Sequence, residues 1–307
     1  MKNSKTIKLI KILVLSLLSL FSVDSAKAQV TSDDSLSTTI STSDNINFVI
    51  NKGDRIGDNL LHSFQEFSIP INGSAIFQND LNIKNIFSRV TGGSLSNIDG
   101  LIKTQGNANL FLINPSGIIF GQNSRLEING SFFATTADSV IFNNGFEFSA
   151  TNIQTPSLLT VDIPIGLRFR DNSKSITNQS IGLNQDGSLG LRVPSGNTLA
   201  LIGGDVNLDT GGLLAQGGRV ELGGLATAGT VRINNDGSLS FAANITKSNV
   251  SLTNSSVIAV AAGGGGHVGI NARNLEISGG SVIVGGIFPG QGMMGAQAGD
   301  IIINVTD

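Results

Sequence analysis

From residue 29 onward the chain is written in short alternations of apolar and polar residues. Arg125-Leu126-Glu127-Ile128-Asn129, Gly218-Arg219-Val220-Glu221-Leu222 and Leu275-Glu276-Ile277 are examples, each bounded by turn-forming residues. A period of two places Leu126 and Ile128 on one face and Arg125 and Glu127 on the other, which predicts half-buried strands. No sustained 3.6-residue apolar stripe follows residue 28, so the class is all-β. The stretch 107–138, "NANLFLINPSGIIFGQNSRLEINGSFFATTAD", holds two apolar runs, 110–113 and 118–120, around the tetrapeptide Asn114-Pro115-Ser116-Gly117. Asn at the first position, Pro pre-setting φ at the second, Ser at the third and Gly at the fourth predict a type I turn. The Asn114 carboxamide is expected to bond the backbone two residues on.

The second half of the chain repeats its own phrases. Gly-x-(Val/Ile)-x-(Leu/Ile) begins at Gly204, Gly218, Gly229, Gly266 and Gly299, and in the last three an Asn follows: Asn234, Asn271 and Asn304. A second phrase, residues 250–258, aligns with residues 275–283. A constant strand core at irregular spacing is the signature of a parallel solenoid, because each coil keeps its inward strand while loops of any length leave the corners. Equivalent apolar residues then stack, and a repeated Asn is expected to form a side-chain ladder. Coils of roughly 20–25 residues predict about a dozen rungs and a rod on the order of 55–60 Å. A β-sandwich also has short strands and Gly-rich turns, but has no reason to repeat its phrases.

Composition adds a processing signal. Lys2, Lys5, Lys8 and Lys11 precede a charge-free apolar run over residues 12–23, and Ala26-Lys27-Ala28 supplies a small-x-small cleavage site ahead of Gln29. This is the pattern of a secretory signal peptide, and the run is too short for a membrane span of about 20 residues. The leader holds five of the 19 basic residues and one of the 22 acidic ones, so its removal moves the net charge from −3 to −7. An acidic chain argues against nucleic acid and anionic lipid as partners, since both select a basic footprint. There is no cysteine, so the fold is expected to hold without disulfides even in an oxidising compartment.

The stretch that carries the predicted turn also carries a resemblance. "ANLFLINPSGIIFG…NGSFFATTAD", preceded by "NLLHSFQEFSIP" (59–70) and "NIFSRVTGGSLSNIDGLI" (85–102) and followed by "GFEFSATN" (145–152), closely resembles the N-terminal secretion domain of two-partner-secretion exoproteins, the filamentous-haemagglutinin-like family of Gram-negative bacteria. The likeness covers about residues 29–169, and the later repeats resemble the β-helical shaft of such proteins. It implies a right-handed parallel β-helix of the pectin-lyase-like kind with an N-terminal capping region. It also implies a division into a signal peptide (1–28), a secretion domain (29–170) and a truncated repeat shaft (171–307). The implied partner is a dedicated outer-membrane β-barrel transporter whose periplasmic POTRA modules bind the secretion domain. The implied destination is the cell surface or the medium by way of the periplasm. The eventual role is expected to be adhesion or haemagglutination-type binding to host-cell or cell-surface glycans or proteins. The family's Asn-Pro-Asn-Gly signature maps onto Asn114, Pro115, Ser116 and Gly117, with Ser116 departing from the commonest form. The second signature, Asn-Pro-Asn-Leu, does not occur in the chain.

Candidate chemistry is sparse. His62 lies in "LLHSFQEF" and the only other histidine is His267; without partners, a buried or capping structural role is expected for His62. Nothing brings Glu66 and Asp54 to a defined separation. Four consecutive glycines precede His267, but a phosphate cradle needs a helix start and a Lys behind it. The alternative class is a polysaccharide-active β-helix enzyme, which needs clustered charge on one outer face. Arg168, Arg170 and Asp171, Arg219 with Glu221, and Arg232 with Asp236 are its only candidates, and scattered ion pairs explain them equally. Catalytic residues, cofactor and metal are therefore expected to be absent. A toxin domain is not expected either, because residues 299–304 are still a repeat phrase. The rung they begin is expected to have an open core.

Overall fold

The structure, a computed structural model, describes residues 29–153 and 163–306. The leader, with Ala26 and Ala28, lies outside the described residues; Gln29 is exposed and its carbonyl accepts a hydrogen bond from the Ser68 amide.

The chain winds as a right-handed parallel β-helix with three strand-bearing faces. The longest face stacks Asn59–Phe67, Asn85–Val90, Asn109–Ile113, Phe132–Thr135, Thr198–Gly203, Arg219–Gly224, His267–Ala272 and Ile301–Val305 in parallel register. A second face runs from Ser96–Ile98 through Ile118–Phe120 and Val250–Thr253 to Leu275–Ile277. The third is built in two sets, one ending at Arg125–Glu127 and one starting at Leu191–Arg192. Two antiparallel strands, Val30–Ser32 and Thr38–Ser41, cap the N-terminal end and so cover edges that would otherwise offer free backbone groups. Eight parallel strands at about 4.8 Å give a stack of roughly 34 Å, shorter than the dozen rungs expected from coil length alone.

The missing length goes into an outer sheet. Ser139–Phe142, Glu147–Ser149, Pro164–Phe169, Gly229–Ile233 and Leu239–Phe241 pair antiparallel and lie over the outside of the longest face. This explains why residues 109–113 do not alternate. Leu110 and Leu112 point into the helix and stack with Phe132, Leu199 and Leu201, while Phe111, Phe133 and Ile202 point outward into a second core. A strand buried on both faces reads as a continuous apolar run. Phenylalanines build that second core: Phe87, Phe111 and Phe133 stack at 4.7 and 4.5 Å between ring centroids, and Phe142 meets Phe87 edge-on at 5.0 Å.

The repeated phrases sort in two ways. Residues 250–258 and 275–283 stack as aligned, Val250 on Leu275, Val257 on Val282 and Ile258 on Ile283. Of the five Gly-x-(Val/Ile)-x-(Leu/Ile) phrases, only those at Gly218, Gly266 and Gly299 are successive rungs of one face, placing Val220 on Val268 on Ile301. The phrase at Gly204 lies on the second face, and that at Gly229 in the antiparallel outer sheet. Asn271 and Asn304 form the expected amide contact at 3.2 Å, but Asn234 instead closes a hairpin by donating to Ser238 and Ser240. Alternation identifies a strand and says nothing about its neighbour. A second ladder, Asn59–Asn85–Asn109, joins the first coils with bonds of 2.8 and 2.9 Å and ends on the Ser131 amide. At Gly224 any β-carbon would overlap the Gly203 carbonyl of the neighbouring coil. Ile301 and Ile303, equivalent to the buried Val268 and Ile270, are 46% and 44% exposed, since no described strand lies beyond them.

Candidate functional site

The corner at Asn114 ends the strand Asn109–Ile113 and starts Ile118–Phe120. The Gly117 amide donates to the Asn114 carbonyl at 3.0 Å, closing the predicted four-residue turn. Ser116 is not among the residues with positive φ, which excludes type II and accommodates serine where the family's commonest form has asparagine. Gly117 has φ +110°, and a β-carbon there would press on Leu95 at 2.8 Å. The Asn114 side chain does more than the sequence indicates. Its Oδ1 accepts from the Ser116 amide at 2.9 Å, and its Nδ2 donates to the Ser94 carbonyl and to Ser96 Oγ, both at 2.9 Å. The residue is fully buried, whereas Pro115 and Ser116 are half-buried at the surface. The corner therefore fastens its own coil to the preceding one and presents no free acid, base or nucleophile.

A larger polar constellation, unforeseen from sequence, centres on Arg89. This side chain is wholly buried, with Nε donating to Ser63 Oγ at 2.8 Å, Nη1 to the Ser149 carbonyl at 2.8 Å and Nη2 to Ser35 Oγ at 3.0 Å. Its guanidinium lies 4.5 Å over the Phe148 ring. Asp33 balances the charge one hydroxyl away, accepting from Ser63 and Thr91 at 2.6 and 2.7 Å. Burial alone would raise the Asp33 carboxyl, but the bonds from Ser63, Thr91 and Ser35 outweigh it and hold it below the usual value. Arg89 thus joins the N-terminal cap, the first two coils and the outer sheet. The only signal for it in the sequence is a lone arginine inside the apolar phrase "NIFSRV".

His62 is buried, as expected for a structural histidine. Its Nδ1 lies 3.2 Å from Thr38 Oγ1, its ring packs edge-on to Phe77 at 5.4 Å, and burial lowers it to about 3. His267 sits in the seventh strand of the stack that begins with His62's strand, roughly 29 Å away. No group of three metal-ligating side chains occurs among the described residues.

The candidate charges resolve into pairs. Arg168 meets Glu147 at 2.6 Å, Arg170 meets Asp138 at 3.5 Å, and Asp171 accepts the Ala228 amide. Arg219 bridges Glu221 and Asp236, each at 3.1 Å; Asp236 therefore joins Arg219 and not Arg232. Glu221 is pushed up to about 7, chiefly by burial, with Arg219 opposing the shift and Asp236 adding to it. The folded chain holds this proton more tightly than the unfolded one. Glu221's contribution is therefore fully present below pH 4.5 and lost as pH rises through 7. Glu221→Gln is expected to stabilise the chain by about 2 kcal/mol at pH 8 and to change little at pH 4. Melting curves of both forms across that range check it, and an equal effect at the two pH values would refute it.

A family model for the TPS secretion domain matches residues 28–270, a span that includes the corner, the Arg89 constellation and the whole outer sheet. Among solved structures, the filamentous hemagglutinin secretion domain superposes with a TM-score of 0.53 at 17% identity, covering 91% of this chain and all of that one; the likeness is one of fold. The HMW1 secretion domain from Haemophilus influenzae gives a TM-score of 0.44 at 20% identity over 84% of this chain, which spans 64% of that structure's length. No curated protein sequence matches. The family is one of secretion domains and no enzymatic family is indicated. Such a domain implies export through a cognate outer-membrane transporter in Gram-negative bacteria, to the surface or the medium. The chain belongs to the TPS secretion domain family.

Proposed function

We propose that the folded region beginning at Gln29 is the export address of an adhesive surface protein. In this reading the leader is removed after Ala28, the chain enters the periplasm, and POTRA modules of its outer-membrane partner recognise residues 29–170. The shaft formed by the remaining coils then serves adhesion to cell-surface glycans or proteins. The observation that supports it most is the match of the secretion-domain model across residues 28–270.

Within this address, the turn Asn114–Pro115–Ser116–Gly117 acts by shape. Its one strongly polar side chain is buried and spent on Ser94, Ser96 and Ser116. Asn114→Ala removes three hydrogen bonds and leaves the buried Ser96 hydroxyl without its donor, which is expected to cost about 2 kcal/mol. Export by the co-expressed transporter, measured as the secreted fraction, should fall in step with the melting temperature. Ser116→Ala should leave both unchanged. A Ser116→Ala chain that melts normally yet stays in the periplasm would show that the transporter reads the turn directly. Normal export of a chain lacking residues 85–128 would dispose of the address itself.

A further inference from the structure

The three faces of the helix end together on its C-terminal side. Leu275–Ile277, Val282–Val284 and Ile301–Val305 are the last strands of their sheets, each paired on one edge only among the described residues. Three rows of backbone donors and acceptors therefore open on one surface. Ile301, Ile303 and Val305 repeat the inward positions of the buried Val268, Ile270 and Ala272, yet are 44–46% exposed. Ile277, Val282 and Val284 are exposed beside them. The apolar side chains of this last coil leave on the order of 600 Å² open per copy, so closing two such ends on each other buries about 1,200 Å² in all, the lower bound of a specific interface.

The opposite end of the helix does not suit this surface. Val30–Ser32 and Thr38–Ser41 run antiparallel to the coils there, consist largely of Thr and Ser, and the first is followed by Asp33 and Asp34. Glu276 and Asp300 make the open end acidic as well, so head-to-tail stacking would bring like charges together.

The open edge is instead complementary to itself. Turned about a two-fold axis normal to the longest face, Ile301–Val305 pairs antiparallel with its own copy. A register centred on Ile303 sets Ile303 on Ile303, Ile301 on Val305 and Ile302 on Asn304, so inward side chains meet inward ones. No charge lies within the strand, and Asp300 falls opposite the copy's Thr306. The same rotation exchanges the other two faces, laying Leu275–Ile277 of one copy over Val282–Val284 of the other. We propose that this end is a dimer interface, closed tail to tail by a second copy of the chain with Ile303 on the two-fold axis.

Sedimentation of the purified full chain tests the assignment and is expected to give the mass of two chains at about 100 µM. A single introduced cysteine tests the register, since the chain has none of its own. In Ile303→Cys the two substituted positions have Cα atoms about 5 Å apart, within disulfide reach. In Ile301→Cys the corresponding atoms are about 14 Å apart. Mild oxidation should therefore convert most of Ile303→Cys to covalent dimer and about tenfold less of Ile301→Cys. A monomer at about 100 µM, masses that keep rising past two chains, or equal cross-linking of the two variants would overturn the interface.

Discussion

Phe111→Ala is expected to lower the stability of the folded chain by about 4 kcal/mol, within the range for deleting a buried phenylalanine. Phe111 is 2% exposed and stacks between Phe87 and Phe133 at 4.7 and 4.5 Å. It is the middle ring of a column, so its removal opens a cavity and breaks two aromatic contacts together. The loss falls on the second core, between the longest face and the outer sheet. Hydrogen exchange should therefore quicken first in Pro164–Phe169 and Gly229–Ile233, while Val250–Thr253 on the second face keeps its protection. Leu112→Ala, one residue on and facing the interior, should disturb the faces in the opposite order. Identical exchange patterns in the two variants would mean that the cores are one cooperative unit.

Arg89→Ala is expected to cost about 3 kcal/mol, a fall in melting temperature of roughly 6–12 °C for a chain of this size. Three donors and a ring contact are lost, and Asp33 is left without the cation it faces through Ser63. Arg89→Lys retains the charge but cannot reach Ser35, Ser63 and the Ser149 carbonyl together, so it should recover only part of the loss. Because Arg89 touches the cap and the outer sheet at once, residues 30–41 and 139–149 should become accessible to protease together. A melting temperature within 2 °C of the parent would show that Arg89's burial is offset by its own desolvation.

The sequence and the structure agree where neighbours in space are neighbours in the repeat. Residues 250–258 and 275–283 differ by one coil, so their aligned letters are their stacked side chains. The turn at Asn114 was legible because its chemistry is local, down to the Ser116–Asn114 bond. What stayed hidden depends on residues far apart in the chain. The outer sheet pairs Leu167 with Val231, and nothing in the phrase "GTVRIN" distinguishes an antiparallel strand from another rung. The Arg89 constellation draws on residues separated by 26, 54 and 60 positions, each an ordinary Ser in its own segment.

The interval between successive strands of the longest face also sets an order of events. Ser131 reaches back 22 residues to Asn109, but Thr198 must reach back 67 to Ser131. Loop-closure entropy grows with the logarithm of length, so the longer closure costs only about 1 kcal/mol more; the greater consequence is delay. A chain delivered from its N-terminus can complete its early coils by short-range contacts, each templating the next. It then halts with Phe132–Thr135 as a bare edge until Thr198–Gly203 arrives. The outer sheet is completed later still, because Pro164–Phe169 has no partner on its far side before Gly229–Ile233. Assembly is thus quick, then suspended, then quick again, with three strands of the outer sheet already delivered during the pause and two still to come.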